Sequence, residues 1–587
     1  MFTFFEKYKQ GLALATLVLI IIIYFIFGWY NISRVGLTVD EPAHLGASQA
    51  YSQQQGTNLE HPVLTKSLTG LVLSYVFPDY KTNIGGPYER GKDFLINSSY
   101  DYDSVLKTGR LVTLVFNSLI LFFLLVYTFW IKFLPAKFSI ILATLYTFSP
   151  SFFGHNYLIT FDVAGAMTAL MAVLSLIHFY SIANKSRFYT FLGFSVLVSF
   201  WFGLAFNTKF TNAILFLPLV LTWIVILIQS LRQKNHKVWL KLLSFVLIFA
   251  VFNYSLIWVL YNYSFGLIKF SGDFKELIDR YSFLTPLGWY YEGAKLSLGR
   301  SNDIILGFVD DDFVVQTFRR FAFRLFWFKE NVGLFVLGLG SMVSLITILV
   351  KNLKNIKFES VKKYVSSHFQ TLTFGLIGLF YPVAYFILSW NSHLTIGYRH
   401  FYPMLIFVYL IVAAVCYFSK IKNSILSILL LVYIIIGIVG LPQNIGYVNP
   451  LWSKEKWRLA TDSSLNWGQE LPDAYKFLAE QNLITPENKR LIINATWNAC
   501  LITPEDLVER HSDFKRADNA DFYNYYYDLT QNDLKISGAK YVVIDTFVFQ
   551  HVSHWSKTNP IAKSNLDYIN SLKPIYNAND VIFIYKL

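Results

Sequence analysis

Long uninterrupted apolar runs recur along this chain and alternate with short polar stretches. A run of about 20 apolar residues is long enough to cross a bilayer as a helix. Eleven such spans are expected, at about 11–30, 105–131, 138–154, 163–183, 188–206, 212–230, 239–261, 331–350, 370–390, 400–418 and 424–441. Two long polar loops interrupt them, about 31–104 and 262–330. Within the first loop, Pro62–Phe77 has the amphipathic spacing of a helix lying in the membrane interface. In the second, Arg319, Arg320 and Arg324 among aromatics suit another interfacial helix that covers or gates the membrane part. From about 450 the pattern changes to polar sequence with short β-like runs, "RLIINATW", "AKYVVID" and "VIFIYKL". The expected fold is therefore a polytopic α-helical membrane protein with a C-terminal extracytoplasmic α/β domain. The expected division is 1–445 for the membrane domain with its two loops and 450–587 for the soluble one.

Composition agrees with that class. Charged residues make up 15% of the 587 residues and hydrophobic ones 54%, against roughly 25% charged in soluble domains. The net charge of +13 does not gather into one basic patch, which argues against nucleic acid. Instead the cations cluster in short connections, as the positive-inside rule expects. Lys7, Lys9, Lys132, Lys137, Lys185, Arg187, Arg232, Lys234, Lys237, Lys241, Lys351, Lys354, Lys357, Lys362, Lys363, Lys420 and Lys422 all fall on one side if the N-terminus is cytoplasmic. Both long loops and the C-terminal domain then lie outside a plasma or inner membrane crossed many times. The first run, Leu12–Tyr30, is too long for a signal-peptide core and reads as an uncleaved helix. Two cysteines, Cys416 and Cys500, are too few and too separate for a disulfide framework.

Two cations break the charge rule: Lys209 in "GLAFNTKFTN" and Arg399 in "LTIGYRHFYP". Each could snorkel to the headgroups; together they could bind an anion in an outer cavity, with Tyr398 beside Arg399. Acids meet them on the same expected side. Asp40 and Glu41 stand in "VGLTVDEPAHLG" with His44, and Asp162 stands in "GHNYLITFDVAGAM" with His155 and Asn156 as candidate cavity residues. For Asp40 and Asp162 a plain helix-start acid is the alternative. A third group, Glu60, His61 and Lys66, opens the interfacial helix in "TNLEHPVLTKSL". Acids and cations at one membrane surface suit two classes. One is a transporter or flippase of lipid-linked sugars; the other is a transferase working on a lipid phosphate. A non-enzymatic scaffold would leave the paired acids without a task. No internal repeat points to a transporter.

The order of these motifs resembles the GT-C membrane glycosyltransferases, in the branch containing dolichyl-phosphate-mannose–protein mannosyltransferases and the aminoarabinose transferase of lipid A. The resemblance lies in "DEPAHLGASQAYSQQQGTNLEHPVLTKSL", "FDVAGAM", "GLAFNTKFT", "GYRHFYPMLIFVYL" and "DSSLNWGQEL", together spanning about 35–471. It implies a polyprenyl-phosphate sugar donor and inverting transfer to a hydroxyl of a protein, lipid or glycan acceptor. It implies Asp40 as the catalytic base or a key donor contact with Glu41 beside it, Asp162 as a second acid of the catalytic set that helps hold the acceptor, donor or metal, and Lys66, Lys209, Tyr398 and Arg399 as contacts of the donor phosphate. Some relatives bind a divalent metal near the first loop, which would make Glu60 and His61 conditional ligands. Two departures stand out: His61 and Val63 within "EHPVLTK", and Asn466 where many relatives carry Asp.

Overall fold

The computed structural model describes residues 2–81, 85–234, 237–300, 302–309, 312–315, 317–353, 358–419, 421–440, 445–452, 455–460, 462–483, 492–496 and 528–587. Asp310 and Asp311, Cys500 and the tyrosine-rich stretch 521–527 lie outside the described residues.

Among the described residues seven helices are long and apolar enough to cross a membrane: Lys9–Ile32, Tyr102–Phe129, Asp162–Ile182, Phe188–Thr208, Phe210–Arg232, Lys237–Phe265 and Tyr398–Phe418. Shorter apolar helices at Ala136–Thr147, Val332–Ser344, Thr373–Ser389 and Asn423–Val439 fall on the other expected spans. The chain is a multi-pass helical membrane protein. Helix Asp162–Ile182 is its centre, with every position of its most apolar window buried. It packs against the helices Phe188–Thr208, Tyr402–Phe418 and Phe358–Ser389. Its composition fits that place: Ala164, Gly165, Ala166, Ala169 and Ala172 let neighbouring backbones come close. Outer helices keep apolar side chains such as Leu243, Leu247 and Val251 exposed, which a lipid environment covers.

The first loop folds into three helices, Glu41–Ser52, Leu64–Val76 and Pro87–Ile96. The second is the helix that the amphipathic spacing predicts; Leu71 and Tyr75 remain exposed on it while Lys66 and Leu73 are buried. The second long loop holds helix Thr285–Arg300, a hairpin of β1 (Leu306–Val309) and β2 (Asp312–Val315), and helix Phe318–Lys329 carrying the three arginines.

The C-terminal part builds one four-stranded sheet from β3 (Ile492–Ala495), β4 (Tyr541–Asp545), β5 (Pro574–Ala578) and β6 (Ile582–Lys586), in the order β3-β4-β6-β5. β3 and β4 are parallel; the other pairs are antiparallel. Alternation along the strands decides what each face covers. Val543, Ile582 and Ile584 join a core with Leu37, Leu45, Phe77 and Phe94 of the first loop. Val542, Ile544 and Tyr585 face the other way, among Val548, Phe549, Val552 and Ile569 of two covering helices. The sheet and the first loop therefore share a hydrophobic core and one face of the molecule, here the loop face.

Two backbone bonds tighten that junction. The Gly36 amide donates to the Gln469 carbonyl at 2.8 Å and the Val39 amide to the Trp467 carbonyl at 3.1 Å. The approach is so close that a Cβ at Gly36 would lie 2.6 Å from Pro472 Cδ and 2.8 Å from the Gly468 carbonyl oxygen. Gly468 itself takes φ +96°, a conformation open to glycine at little cost. The "NWGQ" stretch is thus a cradle for the segment that leads into Asp40.

Candidate functional site

Asp40 occupies the N-cap position of helix Glu41–Ser52, yet its side chain makes no cap hydrogen bond. That removes the plain helix-start explanation for this acid. Its Oδ2 accepts from Arg399 Nη1 at 2.5 Å, across 359 residues of sequence. The same Nη1 lies 3.9 Å from Asp162 Oδ2, and Asp162 Oδ1 accepts from Lys209 Nζ at 2.6 Å. Four charges of alternating sign therefore form one chain: Asp40, Arg399, Asp162, Lys209. The two cations do not stand as unpaired anion receptors, as the sequence suggests; each already touches an acid.

Local structure explains how these residues meet. Arg399 lies in a 3-10 turn, Tyr398–Phe401, at the start of a span. Asp162 is the first residue of the central helix, and Lys209 follows the end of the next one. All three points sit at helix ends on the loop face. Rings complete the walls. The guanidinium of Arg399 stacks over Trp467 at 4.1 Å, and Lys209 Nζ lies 5.8 Å from the Phe161 ring centre. A guanidinium on an aromatic face keeps its five donors in a fixed plane. Exposure is greatest at one end of the chain. The Asp40 side chain is 24% exposed, against 8% for Arg399 and Lys209 and 3% for Asp162. Asp40 is the member nearest the surface.

Glu41, next in sequence, is not brought to this cluster. It is fully buried and faces Arg110 in two parallel bonds, Nε–Oε1 at 2.8 Å and Nη2–Oε2 at 2.6 Å. Its oxygens also accept from the Thr38 amide and hydroxyl and from the Ile159 amide. Arg110 spends its other donors on the carbonyls of Ile32, Val35 and Gly36. This is a sealed clamp that ties the segment before Asp40 to the span Tyr102–Phe129.

The other predicted residues divide. His44 and His61 come near the cluster: their rings lie 5.3 Å and 4.4 Å from Phe161 and 5.8 Å from each other. Burial lowers the His44 imidazole to about 4 and takes His61 well below its ordinary value, with Lys66 adding to both. Lys66 donates to the carbonyls of Asn58 and His61, and burial pushes its ammonium down to about 7. His155 packs behind Trp467 and shares a hydrogen bond with the Tyr402 hydroxyl. Tyr398 turns away, its hydroxyl donating to Glu330 at 3.0 Å. Asn156 is fully buried, its carbonyl bound by Asn117. Glu60 pairs with Arg300 at 3.0 Å. Among the described residues no three His, Cys, Asp or Glu side chains converge as metal ligands. With Glu60 held by Arg300 and His61 packed on rings, the donor set present falls short of a metal site.

Four contributors were not singled out from sequence. Arg110, Trp467, Phe161 and Tyr88 act through neighbours far away in sequence, as Arg110 does with Glu41 across 69 residues, or on another loop helix. Tyr88, on helix Pro87–Ile96, lies close to Asp40: burial, together with the charge of that acid, raises its phenol above the ordinary range. Trp467 and Phe161 carried a sequence signal, inside "DSSLNWGQEL" and "FDVAGAM".

Solved structures similar to this chain include the archaeal oligosaccharyltransferase AglB from Archaeoglobus fulgidus, in complex with an inhibitory peptide and a dolichol-phosphate. It is 11% identical over 97% of this chain and 73% of its own, with a TM-score of 0.43. ArnT from Cupriavidus metallidurans bound to undecaprenyl phosphate is 10% identical over 97% of both chains, with a TM-score of 0.38. No residue role is carried across at that level of likeness. No individual curated protein matches the chain. Residues 106–258, which include Arg110, Asp162 and Lys209, match the family described as dolichyl-phosphate-mannose-protein mannosyltransferase.

Proposed function

We propose that the chain transfers one glycosyl unit from a polyprenyl-phosphate carrier to an acceptor hydroxyl, with inversion, at the loop face, which is the extracytoplasmic side of the membrane. The observation that carries the proposal is the Asp40–Arg399 pair, backed by Asp162 and Lys209 and partly open at Asp40 alone. The family match of the neighbouring membrane segment supports the same chemistry.

In this reading Asp40 takes the proton from the acceptor hydroxyl as its oxygen attacks the anomeric carbon. The carbon–oxygen bond to phosphate breaks, and the phosphate leaves with that electron pair. One positioned base is worth about 10²–10⁴-fold in rate. A guanidinium carries five N–H groups, so Arg399 can hold the carboxylate and a departing phosphate oxygen together. Lys66, which faces His44 and His61, adds a cation when protonated. Asp162 and Lys209 keep Arg399 in place, so Lys209 acts by fixing Asp162. Tyr398, Glu41, His155 and Asn156 support the walls.

The direct test incubates purified protein with radiolabelled polyprenyl-phosphate sugars and separates labelled protein, lipid and glycan acceptors. Label moving from the carrier to an acceptor in wild type, and not in Asp40→Asn, supports the proposal. Label that stays on the carrier with every donor and acceptor class removes it.

A further inference from the structure

Helix Glu41–Ser52 carries Asp40 at one end. At its other end lies a cavity of about 110 Å³ between this helix and helix Leu64–Val76. Leu73, Phe77 and Phe94 supply its apolar lining, and Gln49, Ser52, Gln53, Ser74 and Lys81 its polar lining. Gln49 is 3% exposed. Its Nε2 donates to the Tyr80 carbonyl at 3.5 Å, and its Oε1 is buried with no partner among the described residues. A buried carbonyl oxygen left without a donor has lost its water and gained nothing in return. The hydroxyls of Ser52 and Ser74 spend their protons on carbonyls of their own helices, those of Gln49 and Leu71. They offer the cavity acceptors as well.

A ligand that fits this wall must donate several hydrogen bonds and rest an apolar face on two phenyl rings. Phosphates and carboxylates accept only: Lys81 in the lining suits an anion, but an anionic headgroup leaves the buried Gln49 Oε1 without a donor. A peptide brings one amide donor per residue and pairs best with an open strand edge, whereas these walls are helices. A sugar meets each condition: its hydroxyls donate, and its C–H face is apolar. At about 30 Å³ per water, the cavity holds a few waters' worth of space, enough for part of one ring with the remainder on the rim. Gln49 follows Asp40 by nine residues, about 13 Å at 1.5 Å per residue, a distance that a short saccharide spans.

We propose that this cavity is a saccharide subsite, holding a sugar unit of the acceptor away from the hydroxyl that reacts. The acceptor role rests on the transferase reading above; the saccharide binding does not. The sugar can come from a soluble or protein-linked glycan or from a glycolipid headgroup.

The test presents purified full-length protein, without donor, to an array of neutral and acidic saccharides and Ser/Thr-rich peptides. Soluble saccharides are then compared with the same headgroups on glycolipids in nanodiscs, and whichever form binds names the source. Wild type is expected to retain at least one neutral saccharide, and Gln49→Leu to weaken it about tenfold or more with an unchanged melting temperature. Ser74→Trp blocks the cavity from an exposed position and keeps the test usable if the Gln49 variant does not fold. No retained neutral saccharide, binding indifferent to both variants, or a phosphorylated ligand or peptide that displaces the sugar would overturn the proposal. Gln49-dependent binding with no transfer by any donor would keep the subsite and remove the transferase reading. Transfer without such binding would do the reverse.

Discussion

Asp40 and Glu41 are neighbours in sequence, each paired with an arginine, and their surroundings are opposite. Glu41 and Arg110 are both fully buried and their polar atoms are bonded on every side, to each other and to five backbone groups besides the Thr38 hydroxyl. Asp40 and Arg399 form one link of a longer charge chain, with Asp40 still 24% open to solvent. The first pair holds structure; the second can exchange partners. A carboxylate that is sealed on both oxygens cannot take a proton from a substrate. A carboxylate at the rim, aimed by an arginine and not used as a helix cap, can.

The widest separation between the two pairs is expected from single amide substitutions. Asp40→Asn should lower turnover by about 10²–10⁴-fold while the melting temperature stays near that of wild type. Arg110→Met or Glu41→Gln should instead destabilise the protein by about 3–5 kcal/mol, because each leaves a buried charge or its partner groups unmatched. Yield and melting temperature in detergent report that loss. Removing both charges, Arg110→Met with Glu41→Leu, should recover part of the stability, since two matched deletions leave no lone buried charge. If the double variant is no better than the singles, the clamp works through the Ile32, Val35 and Gly36 carbonyls more than through the ion pair.

A smaller effect is expected one step back along the open chain. Lys209→Met should reduce turnover by about 10²-fold or less, through the misplacement of Asp162 and Arg399, with little change in apparent donor affinity. A large rise in donor KM with kcat unchanged would return Lys209 to a direct phosphate contact.

Protonation separates the regions further. With its ammonium near 7, Lys66 loses its charge as pH rises above that value, so a phosphate it binds is held less well. Apparent donor KM should climb between pH 7 and 8.5 in wild type and stay flatter in Lys66→Arg, which remains charged. His44 works on the acid side. Its folded value of about 4 lies below the ordinary 6.5, so between those values the unfolded chain binds a proton that the folded one refuses. Stability therefore falls as pH drops from 6.5 to 4, by about 1.4 kcal/mol per pH unit for this group. A melting temperature measured across that range, flatter in His44→Gln than in wild type, checks the sign.

Much of the membrane part was legible because its signals are local. Apolar length marks a span, and cations in short connections mark a side. Of the strands, β4 and β6 announce themselves as "YVVID" and "IFIYK", while β5 escaped. It begins with Pro574, lies at the sheet edge and keeps most of its residues exposed, so it lacks both alternation and apolar content. At the site, Asp40, Asp162, Lys209 and Arg399 were found one by one, each as a charge out of place beside the membrane. Their pairing was not legible, since the link between Asp40 and Arg399 closes over 359 residues. The same blindness put Glu41 with Asp40: adjacency in sequence suggested one role, and the first turn of the helix sends the two side chains to different partners. Tyr398 shows the converse, an aromatic beside Arg399 whose hydroxyl is claimed by Glu330 on another helix end.

The central claim is that Asp40, held by Arg399 and open at the rim, is the group that receives the acceptor's proton. Single-turnover transfer of radiolabelled sugar from a polyprenyl-phosphate donor, by purified wild type and Asp40→Asn with donor binding measured in the same samples, tests it most directly. The account predicts donor binding within a few-fold of wild type and a transfer rate lower by about 10²–10⁴-fold. Transfer at near wild-type rate by folded Asp40→Asn would contradict it.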